Sequence, residues 1–269
     1  ICAVDITLTD QISIDKDIHL DYNIWFIFFS TMLTYTFLKL SGSNNNQMLT
    51  THKRWAAENS ILSKNLVLIS LIGAIFFFFQ LELNVKITVA LLGAFTAFYG
   101  FVDIPLLKPK RKLRNFGMLK TVFVAVVWSV TTVVVPFLNS SVEPQMMGFL
   151  LLRRFLFILA LTIPFEIKDM ADDRAHSINT LSLRIGVSNT KLLAQIILLL
   201  LILILVIQYF FFGISLYNML AVNASFLVSI LCVNHIKEET ADSWYYFVLD
   251  GMMILQFILV YAVQFFPAN

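Results

Sequence analysis

Charge is what this chain has least of. Only 13 % of its 269 residues are Asp, Glu, Lys or Arg, where a water-soluble domain carries about 25 %. Two cysteines, Cys2 and Cys232, stand alone in apolar surroundings. With no C-x-x-C spacing, they exclude a disulfide framework and a zinc knuckle. No charged low-complexity tract and no basic, aromatic-interleaved face is present, which excludes a disordered chain and a nucleic-acid binder. Acids are missing altogether between Asp21 and Glu58. What remains is apolar: 59 % of the residues are hydrophobic, and the mean hydropathy is +0.82. That composition belongs to a protein whose solvent is the lipid bilayer.

A helix needs about 20 apolar residues to cross the hydrocarbon core. Eight segments meet this: Ile24–Leu40, Leu62–Gln80, Val85–Val102, Leu119–Leu138, Met147–Phe165, Leu192–Phe212, Ile214–Val233 and Tyr245–Phe266. The runs are continuous, without the alternation of membrane-spanning strands. The expected fold is therefore all-α, a polytopic bundle in one domain over residues 1–269, with loops at about 41–61, 103–118, 166–191 and 234–244. The opening residues Ile1–Thr9 are apolar but too short to span. They read as the second half of a further helix, or alternatively as an interfacial tail.

Basic residues set the expected orientation. Of the 19 Lys and Arg, Lys16 and Lys86 alone fall on one side of the membrane, and Arg153 and Arg154 lie within a span. The rest gather on the other side, which the positive-inside rule makes cytoplasmic. The sparse side is acidic: Asp10, Asp15, Asp17, Asp21, Glu82 and Glu143. Arg153 and Arg154 are adjacent, so they point about 100° apart. One is expected to snorkel outward and the other to face the interior, meeting an acid such as Asp5. Asp250 opens the last span, where it either lines a cavity from the cytoplasmic side or caps or pairs with Lys237. His176 and His235 have no partner at metal-ligand spacing and read as loop residues.

The chemistry concentrates in Pro164–Gly186, PFEIKDMADDRAHSINTLSLRIG. Asp169 and Asp173 are four apart and share a helical face, with Asp172 near it and Glu166 one turn earlier. Carboxylates this close repel unless a cation stands between them, and Mg²⁺ takes such oxygen ligands together with phosphate oxygens. Pro164 weakens the helix just before them. The competing reading is a solvated loop whose acids pair with Lys168, Arg174 and Arg184.

This stretch resembles the second aspartate-rich motif of the UbiA superfamily of intramembrane prenyltransferases. That motif is D-x-x-x-D, a basic residue, then T-L and a later G; here Asp169, Asp173, Arg174, Thr180, Leu181 and Gly186 stand in that order. The nine-helix layout of the superfamily is similar to eight spans plus a stub. Its Tyr and Lys after helix four resemble Tyr99 and Lys108 in YGFVDIPLLKPKRKLRN. The resemblance implies a transferase acting on an isoprenyl diphosphate and a lipophilic or aromatic acceptor, at a cytoplasm-facing site in a bacterial inner membrane. It implies Mg²⁺ on Asp169 and Asp173, with Asp172 beside them. Arg174, Lys108, Arg111, Arg114 and Lys120 become candidates for the diphosphate, with Tyr99 flanking. The departure is at the first motif, N-D-x-x-D-x-x-x-D after helix two, where the chain reads LTYTFLKLSGSNNNQ. Lys39 stands where carboxylates belong, and it can meet diphosphate but not Mg²⁺. Arg54, in HKRW, either joins the phosphate contacts or anchors the membrane interface. A cyclase of the same fold and a non-catalytic lipid-binding member are the alternatives; a transporter lacks the paired broken helices.

Overall fold

A computed structural model of the chain describes residues 1–15, 18–41, 59–101, 103–104, 111–112, 117–175 and 180–265. It is helical apart from one antiparallel pair of two-residue strands, β1 (Asp103–Ile104) and β2 (Arg111–Lys112), in register Asp103↔Lys112. The pair falls inside the loop expected at 103–118 and crosses nothing.

The expected spans are all helices. They are α2 (Tyr22–Ser41), α3 (Ser60–Gln80), α4 (Leu83–Phe101), α5 (Gly117–Ser129), α6 (Pro144–Thr162), α9 (Leu181–Phe212), α10 (Leu216–His235) and α11 (Gly251–Val263). Between α6 and α9 lie two short helices, α7 (Phe165–Lys168) and α8 (Met170–Ala175). Among the described residues, six helical stretches are long and apolar enough to cross a membrane, and Leu83–Ala97 is a shorter apolar helix. Their outward faces carry bare aromatics and aliphatics, such as Phe79, Phe211 and Phe247 at 69, 79 and 76 % exposure. In water these would be a large liability; in a bilayer they face their solvent.

Residues 2–15 form a helix, α1 (Cys2–Asp15). It is no interfacial tail: Ile6, Thr7, Thr9, Asp10 and Ile12 are all buried. α1 packs along α11, touches α2, and meets the π-helical turn Val130–Val134 that follows α5. From there the helices neighbour one another in turn: α11 with α10, α10 with α9, α9 with α6, and α6 with α5. α2 and α3 form a close pair, because Gly73 lets Phe29 lie against the α3 backbone; a Cβ there would come within 2.5 Å of the Phe29 ring. Polar side chains turned inward find each other across helices, as where Gln256 Nε2 donates to Ser225 Oγ at 3.0 Å. Hydrocarbon offers no other partner.

The arginine pair departs from expectation. Neither snorkels. Arg153 and Arg154 are 5 and 3 % exposed, and both point to one acid, Asp10 of α1, itself 1 % exposed. Arg153 Nη2 donates to Oδ1 at 2.6 Å, and Arg154 Nη2 donates to Oδ2. Asp10 is thus a bundle residue, not an acid of the outer loops, and it takes the place expected of Asp5. The 100° between adjacent residues is absorbed by two long side chains converging on the two oxygens of a single carboxylate. Arg153 also donates to Gln208 Oε1 of α9 at 3.2 Å, and Arg154 to the Ile6 carbonyl. The centre therefore ties α1, α6 and α9 together.

Candidate functional site

At the far end of α6 the chain turns at Ile163–Pro164, as the proline demands, and re-enters helix as α7. Asp169 ends α7, and the Asp173 amide donates to the Asp169 carbonyl at 2.9 Å. The two acids are therefore one helical turn apart. Lys120 of α5 places Nζ 3.0 Å from Asp169 Oδ2, and Lys168 places its own 3.0 Å from Oδ1. Burial raises the Asp169 carboxyl, but the two ammoniums outweigh it and hold the group below the ordinary carboxylate value. Asp173 goes the other way. Burial, then the Asp169 charge, push its carboxyl up, against Lys120 and a hydrogen bond with Thr180. Neighbouring acids are thus shifted in opposite directions, Asp169 down by the two ammoniums and Asp173 up by burial and the Asp169 charge.

Glu166 behaves unlike either. It is buried and accepts from Thr121 Oγ1 of α5 at 2.7 Å, and from the Leu181 backbone N–H at 2.9 Å. Thr180, at the N-cap of α9, makes no side-chain cap bond. Glu166 supplies the cap from outside the helix, meeting donors that a helix start leaves unpaired. Below it lies an apolar cavity of about 150 Å³ lined by Thr121, Val122, Leu159, Ile163 and Leu181.

The same end of the bundle gathers the other loop edges. Arg174 reaches Glu238 at 3.5 Å, and Lys191 Nζ donates to the Asn234 and Ile236 carbonyls. The last span enters through a π-helical segment, Trp244–Leu249, whose Tyr246 ring lies 5.3 Å from Lys168 Nζ. Phe165 packs on Tyr245 and Tyr246. A cavity of about 460 Å³ beside His235, Ser243, Trp244 and Phe247 belongs to this turn and not to the aspartates. His235 lies against Trp244 with the two rings tilted and their centres 4.7 Å apart.

Of the sequence-derived candidates, the structure brings Asp169, Asp173 and Lys120 together. Arg174 is on the same short stretch but is turned to Glu238. Lys39, Tyr99, Arg111 and Asp172 are placed by backbone only, and Arg54, Lys108 and Arg114 lie outside the described residues. Among the described residues, no group of three or more His, Cys, Asp or Glu is gathered as a metal cluster. Sequence reasoning missed Thr121 and Tyr246, which carry no motif, and the capping role of Glu166. A buried acid preceding a helix start by fifteen residues is visible only once the loop closes. Asp250 is not paired with Lys237 among the described residues; its carbonyl receives the Cys2 thiol at 3.6 Å.

Long apolar helices around a charged, loop-bearing end define a multi-pass membrane protein with a polar site at one end of its bundle. The sequence model of the UbiA prenyltransferase family matches residues 43–257, and the chain belongs to that family. No curated protein and no solved structure matches it. UbiA proteins are intramembrane prenyltransferases, so the chain has the fold and general activity class of that family.

Proposed function

We propose that this protein transfers an isoprenyl group from its diphosphate to a lipophilic or aromatic acceptor, at a site centred on Asp169 and Asp173 and facing the cytoplasm from a bacterial inner membrane. The observation that carries the reading is the Asp169–Asp173 turn with Lys120 and Lys168 on its two sides. Hard carboxylate oxygens one turn apart, the second shifted up by burial and by the charge of the first, suit Mg²⁺. Asp169 and Asp173 would hold it, with Asp172 beside them. Bound there, the ion would neutralise diphosphate oxygens as charge develops on them.

The chain's own residues do the rest. Lys120, 56 % exposed at its side chain, is free to swing from Asp169 to a diphosphate oxygen, and Lys168 keeps Asp169 charged when it does. Loss of diphosphate breaks the allylic C–O bond, and the electron pair leaves on oxygen. The allylic cation that remains bonds to the acceptor, which gives up a proton. Ammoniums aimed at the leaving oxygens stabilise that separation, and the apolar helix walls exclude water that would otherwise capture the cation. Arg111 and Arg114, with Lys108, Arg54, Lys39 and Tyr99, are the further candidates for the diphosphate.

A second reading has its own support. Both oxygens of Asp169 already face ammoniums, and the first motif has Lys39 in place of its acids. A non-catalytic, isoprenoid-binding member would look like this, and a cyclase would use the same ionisation. Incubating the purified protein with isoprenyl diphosphates of several lengths and Mg²⁺, and measuring pyrophosphate, separates the three. Release that needs an acceptor supports transfer, release without one supports cyclisation, and binding without release supports the non-catalytic reading.

A further inference from the structure

We propose that Glu166 is a positioning residue of the aspartate site and not one of its metal ligands. This rests on reading Asp169 and Asp173 as that site. Glu166 is 6 % exposed, and its acceptors are taken by protein. Oε1 receives Thr121 Oγ1 at 2.7 Å. Oε2 receives the N–H groups of Leu181 and Ser182 at 2.9 and 3.4 Å, and the Glu166 carbonyl receives Ser182 Oγ at 2.9 Å. An ionised carboxylate offers about four lone-pair directions. Most of these are spent inside the protein, on Thr121 Oγ1 and on the N–H groups of the helical turn that opens at Leu181.

The arrangement fixes three pieces at once. Thr121 is the chain neighbour of Lys120, and Glu166 sits one turn before Asp169. Two struts therefore run side by side between α5 and the segment after α6: Thr121 to Glu166, and Lys120 to Asp169. The third contact, to Leu181, draws together the two ends of the stretch that carries Asp169, Asp173 and Arg174. A buried side chain that loses such partners leaves donors unpaired at the helix start. The Lys120 strut then loses the register that its neighbour imposes. Glu166 holds the neck of the aspartate loop, and through Thr121 it sets where Lys120 meets Asp169.

Carbodiimide coupling of the full chain in detergent tests this without any assay of activity. The reagent activates a carboxyl as its O-acylisourea, which the adjacent lysine attacks as the free amine after losing a proton, forming an amide as the urea leaves, and peptide mapping by mass spectrometry reads the Lys120–Asp169 bond. The Lys168–Asp169 bond, between chain neighbours, is the internal standard. Glu166→Ala is expected to lower the Lys120–Asp169 bond relative to the standard by about tenfold, as for the loss of a group that orients a ligand. Glu166→Gln, which keeps an acceptor and the shape, is expected to restore most of it, and Thr121→Val to lose part. An unchanged ratio in Glu166→Ala overturns the proposal. Should that variant not fold, an unchanged ratio in Thr121→Val overturns it equally. A second arm titrates Mg²⁺ in the presence of inorganic pyrophosphate. Glu166→Gln, which keeps the positioning contacts, should leave the Mg²⁺ half-saturation close to that of the unaltered protein; a half-saturation displaced as far as in Asp169→Asn makes Glu166 a ligand and overturns the proposal. If the unaltered protein binds no pyrophosphate, the diphosphate reading falls, and the coupling ratio still decides the role of Glu166.

Discussion

Asp10 and Arg153 stand 2.6 Å apart across 143 residues of chain, both buried inside the bundle. With Arg154 on the other oxygen, one carboxylate serves two guanidiniums. That imbalance makes the acid the critical member. Removing it leaves two like charges with no counter-charge, whereas removing one arginine leaves a matched pair.

Asp10→Asn is accordingly expected to destabilise the protein by about 3–5 kcal/mol, the cost of breaking a buried ion pair. Arg153→Gln should cost clearly less, since Arg154 keeps Asp10 paired. Thermal unfolding in detergent, followed by tryptophan fluorescence, compares the two. Equal losses would mean that the charges act independently.

Asp169→Ala and Asp173→Ala are each expected to reduce Mg²⁺-dependent pyrophosphate release by about 10²–10³, the range for removing a principal electrostatic stabiliser. Asp172→Asn should cost much less. Single-turnover release with each variant checks the ranking, and equal loss in all three would remove the assignment of the metal to the first and last acids.

The two carboxyls predict opposite responses to pH. Asp169 is held low, so its contribution to stability is complete above the ordinary carboxylate value near 3.9 and disappears only as pH falls through its lower native value. Asp173 is held high, so the native state keeps that proton longer than the unfolded chain does. Its share of stability is present in acid and is lost as pH rises through the raised value. Mg²⁺ affinity should therefore begin to fall on mild acidification, above the normal Asp range, while the Lys120–Asp169 pair persists. Calorimetric Mg²⁺ titration between neutral and acid pH measures this, and Lys120→Ala should bring the Asp169 carboxyl up toward its ordinary value.

Gly186 takes φ +79° and ψ 165° at a kink that divides α9 into two helical pieces, a conformation open in practice to glycine alone. An added Cβ would meet nothing within 4 Å. Gly186→Ala should therefore cost only backbone strain, about 1–3 kcal/mol. A larger drop in unfolding temperature than Gly148→Ala, which is also uncrowded but lacks the positive φ, is the expected result.

Much of this architecture follows from the order of residues alone. Runs such as Leu62–Gln80 and Leu192–Phe212 must be helical in a bilayer, because lipid satisfies no backbone group. The Asp169–Asp173 turn is local, as its spacing fits one helical repeat. Gly186, read in sequence only as the last letter of a motif, proves to be a backbone requirement. What sequence could not decide is partner choice across the bundle. Composition placed Asp10 among outer-loop acids, and helical geometry sent Arg153 and Arg154 in different directions; only packing of α1 against α6 brings all three to one point. Glu166 reads in sequence only as an acid one turn before the pair; its contacts with Thr121 and with the Leu181 N–H come from the fold. Hydropathy and spacing act along one helix, but the pairing of buried charges is settled between helices, where the low dielectric penalises every arrangement that leaves a charge without a partner.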